Sequence, residues 1–194
     1  MVMDFLNHIV IKSSARNRNS FRLALGTLLQ TLEDNELIKF NFIKNIKGLN
    51  SGPKRNKTFT KEVENDIFDY LEKEDPILLL FIKFVSYNFL RPIEGSRLTV
   101  RDLNLKNNTI TFQAKNSSSK KKIIPKILLD ELPKLSEMDP GHLLFTPSKI
   151  GGVWSTTETN RRNYFSKPFR EKVKKHFYLN EDYGLYSFRH TYIT

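Results

Sequence analysis

The chain has 194 residues, of which 39% are hydrophobic and 12% aromatic, which suits a packed core and excludes global disorder. Its 32 Lys and Arg against 21 Asp and Glu give a net charge of +11, so a polyanionic partner is expected, with a basic protein that binds no nucleic acid as the plain alternative. Zero Cys removes disulfides and thiolate zinc sites, and no signal peptide or membrane span is read, so a cytoplasmic protein with no membrane partner is expected.

Residues 4–11 read as the end of a helix with no beginning. Ser13 or Ser14 then caps a long helix to about Asn35, with Phe21, Leu25, Leu28, Leu29 and Leu32 on one face. Its first turns carry Arg16, Arg18 and Arg22 among Asn and Ser, side-chain types that contact phosphates and base edges. A solvated helix face reads the same way. A short turn or helix follows over Glu36 to Ile46. Residues 47–57, with Gly48, Gly52 and Pro53, form a linker by composition, and its Lys54 and Arg55 could lie along a DNA backbone.

Thr60 caps the next helix, whose buried face is Val63, Ile67, Tyr70 and Leu71. Asp75-Pro76 ends it and opens another, Ile77 to Leu90, which is apolar nearly all round and reads as the central helix. Arg91 emerges from that helix, and Pro92 opens a short helix with Glu94. An Arg there binds an anion or pairs with Glu94 or Asp102. Leu98–Leu103 and Thr109–Gln113 are predicted to form a hairpin, with a third strand over residues 122–125. The basic turn before that third strand carries Lys115, Lys120, Lys121 and Lys122, either to reach a groove or as an ordinary Lys-rich edge.

Leu128 to Leu135 reads as a short helix, Leu143–Phe145 as extended, and residues 147–152 as loop. Thr156 to Lys175 is helical in pattern, interrupted near Pro168, with Arg161 and Arg162 on a basic face that suits DNA. A last helix begins at Leu185 and carries Tyr186, Arg189 and His190.

His8, His142, His176 and His190 stand apart, with no metal-protease spacing, and no Gly-rich phosphate loop or GxSxG is present. Two Arg on separate helices, a Lys on a hairpin and a His beside the second Arg remain. Two guanidinium forks can clamp one phosphodiester and stabilise charge on five-coordinate phosphorus, and a Lys can protonate the leaving oxygen. Such phosphoryl transfer needs no metal and no cofactor.

These residues fall into a known pattern. Phe-Leu-Arg91-Pro-Ile-Glu94-Gly-Ser-Arg-Leu98 resembles the first-arginine box of the tyrosine recombinases, or phage-integrase family. The strands around Lys115 resemble that family's hairpin lysine, and Tyr186-Ser-Phe-Arg189-His190-Thr191 resembles its His-x-x-Arg box. The resemblance covers nearly the whole chain. It implies an α+β, mostly helical protein: a partial helical core-binding domain over residues 1–47, a basic linker over 48–58, and a catalytic domain with a small three-stranded antiparallel sheet over 59–194.

The resemblance further implies a site-specific recombinase that breaks and rejoins DNA through a 3′-phosphotyrosyl intermediate. Its partner would be double-stranded DNA, and the parent would be a homotetramer on it. Arg91 and Arg189 would hold the phosphate, Lys115 would be the general acid, and Glu94 and His190 would support them. Tyr186 stands where the family usually has His, and a phenol titrating near pH 10 can donate a hydrogen bond but cannot shuttle protons at neutral pH. The family's nucleophilic Tyr lies further past the second Arg than Tyr192, so the resemblance implies a chain truncated at both ends that is inactive alone. A DNA-binding protein that uses the same scaffold without catalysis is the alternative.

Overall fold

The computed structural model describes residues 1–52, 56–114 and 119–192. The chain divides into two compact units, Met1–Lys54 and Arg55–Thr194.

In the first unit, α1 (Val2–Lys12) pairs with α2 (Ala15–Asp34). The Ser14 hydroxyl caps α2 by accepting the Asn17 N–H at 3.2 Å. A 3-10 turn, Phe42–Asn45, inserts Ile43 beneath α2. Leu6 and Ile43 are fully buried, yet Phe21 and Leu28 of the expected apolar face are 45% and 55% exposed. Two helices and one turn cannot cover a whole apolar stripe, because a unit this small buries too little of its surface.

The second unit is built around α4 (Pro76–Tyr87). Asp75 caps it through the Leu78 N–H, Pro76 stands in its first turn, and it buries Leu78, Leu79, Leu80, Phe81, Ile82, Phe84 and Val85. Near-complete burial on all sides explains why its sequence lacks a polar face. It packs on α3 (Lys61–Glu74), which Thr60 caps, and is followed by the single turn α5 (Pro92–Gly95).

The predicted first strand is mostly not a strand. Val100–Asp102 is a 3-10 turn, because the Asp102 carboxylate folds back to accept the Thr99 N–H at 2.8 Å and hydroxyl at 2.7 Å. That local closure competes with the ladder, as short polar side chains do. Only β1 (Leu103–Asn104) pairs with β2 (Thr109–Gln113), and β2 pairs with β3 (Ser119–Ile123), all antiparallel in the order β1-β2-β3. The third strand therefore begins earlier than expected, and Lys122 lies inside it opposite Ile110.

After β3 come α6 (Lys126–Leu129) and a 3-10 turn, Leu135–Glu137, in place of one helix over 128–135. β4 (Leu143–Phe145) pairs with β5 (Ile150–Gly152), within a stretch expected to be loop. The long basic helix is in pieces: α7 (Glu158–Tyr164), α8 (Ser166–Pro168) and a π-helical turn Phe169–Lys174. Pro168 removes one backbone donor from the ladder, and a wider turn follows it. Phe165, Phe169 and Val173 are buried, and Phe165 stacks on Phe81 at 4.0 Å. Finally α9 (Leu185–Thr191) lies against α4, with Phe188 fully buried beside Phe59. The architecture is α+β and mostly helical, with a small three-stranded antiparallel sheet.

Candidate functional site

The site grows from the C-terminal end of α4. The Leu90 N–H bonds the Val85 carbonyl at 3.1 Å, and the Phe89 N–H bonds the Ser86 carbonyl at 3.2 Å. This is the double closure in which the residue after the helix cap adopts the left-handed conformation, a position that normally takes glycine. Here it is Phe89, at φ 50°. With the last helix carbonyls closed off this way, the Asn88 and Phe89 carbonyls are left to accept other donors.

Three cations meet there. The Arg189 Nε donates to the Phe89 carbonyl at 3.0 Å. The Lys122 Nζ donates to the Asn88 carbonyl at 2.6 Å and to the Phe89 carbonyl at 3.3 Å. Two residues further on, the Arg91 Nη1 donates to Glu94 Oε1 at 2.9 Å, and the Arg91 backbone N–H donates to Glu94 Oε2 at 2.7 Å. The Glu94 side chain is 4% exposed and that of Arg91 40%, so the carboxylate anchors the guanidinium from inside while the fork stays open to solvent. Of the two carboxylates considered for Arg91, Glu94 is the partner, and Asp102 is engaged with Thr99.

Beside Arg91 lies a cleft of about 660 Å³ lined by Arg91, Glu94, Arg97, Arg162, Asn163 and Tyr186, among others. Arg97, on its wall, pairs with Glu158. The Tyr186 ring lies 6.3 Å from that of His190, centroid to centroid. The Ser187 hydroxyl accepts the Gly184 N–H at 3.1 Å at the start of α9, and the Thr191 hydroxyl accepts the Phe59 N–H at 3.0 Å further along, so both ends of the short helix are tied down.

Tyr192 is half-buried at the end of α9. Its hydroxyl donates to Glu64 Oε2 at 2.8 Å, and Lys61 Nζ donates to the phenol oxygen at 3.2 Å. Burial, opposed by a hydrogen bond with Tyr87 and reinforced by Glu64, pushes the phenol up to about 12. A folded-state value above the ordinary 10.0 stabilises the fold below pH 10 and loses that contribution as pH rises towards about 12. The stability advantage of wild type over Tyr192→Phe is therefore expected to shrink across that alkaline window. Denaturant melts would show it, and a constant difference would contradict the assignment.

The other residues singled out in the sequence divide into three groups. Lys120, Lys121 and Arg162 are exposed, and Arg161 is half-buried. Arg18, expected on a DNA-facing surface, is instead 3% exposed, and its Nη1 donates to the Lys47 carbonyl at 2.7 Å. Arg22 donates to the Ile46 carbonyl at 3.0 Å and Arg16 to the Gly52 carbonyl at 3.3 Å. These arginines tie residues 46–52 to α2 through backbone carbonyls. Lys54, Arg55 and Lys115 lie outside the described residues.

Lys122 was visible in the sequence only as one of four lysines. Counting back in twos from the buried Ile124 places it on the inner side of β3, and that alternation was the available signal. Phe89 gave no signal, because left-handed caps are sought at Gly and Asn.

No protein-family model and no curated protein sequence matches the chain. Solved structures do. A lambda integrase(75-356) dimer bound to a COC′ core site is similar at TM-score 0.75 and 13% identity, over 98% of this chain and 70% of that one. A lambda integrase tetramer bound to a Holliday junction is similar at TM-score 0.73 and 14% identity, over 98% of this chain and 56% of that one. The Tn1549 transposon integrase in complex with circular intermediate DNA is similar at TM-score 0.68 and 15% identity, over 97% of this chain and 69% of that one. Those integrases are tyrosine recombinases, and the chain shares their fold over nearly its whole length.

Proposed function

We propose that this chain binds double-stranded DNA and holds one of its phosphodiesters for strand transfer, as part of a site-specific recombinase. The observation that carries the reading is the Arg189 guanidinium fixed on the Phe89 carbonyl, two residues before Arg91. Two forks that start 98 positions apart in sequence are brought to one turn, with a positively lined cleft beside them.

Arg91 and Arg189 bind the non-bridging oxygens and stabilise the charge that builds as phosphorus becomes five-coordinate. Glu94 orients Arg91, and Tyr186 donates a hydrogen bond from the cleft wall. Lys115 serves as general acid, giving its proton to the leaving 5′ oxygen. The attacking group is a tyrosine that forms a 3′-phosphotyrosyl bond. Tyr192 is not that group, since its hydroxyl is committed to Glu64. Residues 1–47 act as a helical DNA-binding domain, 48–58 as a basic linker and 59–194 as the catalytic domain, and the protein assembles as a homotetramer on DNA. Lys120, Lys121, Arg161 and Arg162 supply contacts to the flanking backbone.

The test is a titration of the chain with duplex DNA at several salt concentrations. Phosphate contacts release counterions, so log affinity falls steeply with log salt, by about 0.9 for each phosphate neutralised. A slope near zero would remove DNA as the partner. The alternative, a scaffold that binds DNA without catalysis, is motivated by Tyr186 in place of His. It would leave strand cleavage undetectable while the slope stayed steep.

A further inference from the structure

The third cation at the α4 terminus has no role in the reading above. Lys122 sits inside β3 opposite Ile110, on the inner side of the sheet. Its Nζ lies 5.4 Å from the centre of the Phe112 ring and 5.6 Å from that of Phe89, with the Asn88 and Phe89 carbonyls as acceptors. No carboxylate among the described residues forms an ion pair with it, whereas Lys44, Lys57, Lys61, Lys83, Lys134, Lys172 and Lys174 each have one.

Its charged neighbours are mostly of its own sign. Arg189, Lys120 and Arg91 repel it, and Glu94, already committed to Arg91, is the one group that attracts it. Burial first and Arg189 second push the ammonium below its ordinary value. Two half-buried cations sharing a single carbonyl oxygen form an arrangement that an anion would relieve. An ammonium has three N–H donors, and the two carbonyls engage two of them.

We propose that Lys122 is a further phosphate-contacting residue of this site, set beside Arg189 by the left-handed peptide of Phe89. The inference rests on the phosphodiester-binding reading and deepens it. The Phe89 carbonyl holds the guanidinium and the ammonium side by side, so the remaining N–H of Lys122 and the open edge of Arg189 converge on one phosphate. Phe89 is a positioning residue: its backbone carries the acceptor, and its ring flanks the ammonium.

The competing role for Lys122 is structural, as a side chain that satisfies the Asn88 and Phe89 carbonyls just past α4. The two roles part in a salt titration of the full chain with a short duplex of arbitrary sequence, comparing wild type, Lys122→Met, Lys122→Arg and Arg91→Ala. Lys122→Met is expected to make the slope of log affinity against log salt shallower by about 0.9 and to weaken binding roughly ten-fold, with Lys122→Arg restoring both. A lower melting temperature with an unchanged slope would overturn the proposal in favour of the capping role.

If Lys122→Met does not fold, the Lys122 Nζ resonance of the wild-type chain takes its place. It should shift on saturation with duplex, and its titration should move upward as phosphate compensates the like charges. A resonance indifferent to duplex overturns the proposal. If Arg91→Ala flattens the slope and Lys122→Met does not, the Lys122 proposal alone fails. If neither changes it, the phosphodiester reading fails with it.

Discussion

Replacing Arg91 with alanine is expected to slow the proposed phosphodiester transfer roughly 10²–10³-fold, the usual loss when one preorganised donor to a developing oxyanion is removed. The size follows from how the side chain is held. Glu94 takes both the Arg91 N–H and one guanidinium nitrogen, so the fork loses little freedom when it meets a phosphate. Arg91→Lys keeps the charge but not the fork, and should recover only part of the loss. Duplex affinity of the chain should fall at least ten-fold in the alanine variant, with a shallower salt slope. The fold should lose up to about 3 kcal/mol, because the nearly buried Glu94 carboxylate keeps the backbone N–H but loses its counter-charge. A variant that transferred strands at the wild-type rate, or that lost binding only because it unfolded, would contradict this account.

The second large effect is on stability. Phe81→Ala is expected to cost about 3–5 kcal/mol, the range for an aromatic truncated in a packed core. Phe81 is fully buried, stacks on Phe165 at 4.0 Å with 8° between planes, and meets Phe145 edge-on at 5.2 Å. No single neighbour can fill the space, because α4 is packed on nearly every side. For a unit of this size the melting temperature should drop on the order of 10 °C.

The substitution should also reach the site. A methyl group built on Gly95 would lie 3.1 Å from the Phe81 ring, so the ring is the floor on which the α5 turn rests. Removing it should loosen Glu94 and, through it, Arg91. Chemical denaturation measures the first effect, and the affinity of the folded variant for duplex at low temperature measures the second. A destabilised variant with unchanged affinity would show that the floor and the clamp are independent.

The main helices were legible because their signals are local. Ser14, Thr60 and Asp75 each accept a hydrogen bond from the helix they precede, and Pro76 and Pro92 stand in first turns. The apolar run of α4 could only be a buried helix. Arg91 and Arg189 were legible as a pair by resemblance, and Glu94 only as one of two carboxylates that could partner Arg91. The strand over Leu98–Leu103 misled, because alternation says nothing about a carboxylate that closes its own turn. Arg18 misled for a similar reason: an arginine among Asn and Ser suits a phosphate, but a backbone carbonyl 29 residues away satisfies it equally well.

The sequence by itself determined the basic charge, the capped helices and the order of the arginine boxes, since each depends on residue type and near spacing. Tertiary structure alone decided what converges at the end of α4. That a carbonyl at Phe89 would hold Arg189 from α9 and Lys122 from β3 depends on one left-handed peptide and on the register of one strand. Neither leaves a local pattern, because the energy that fixes them comes from contacts between residues 33 to 100 positions apart.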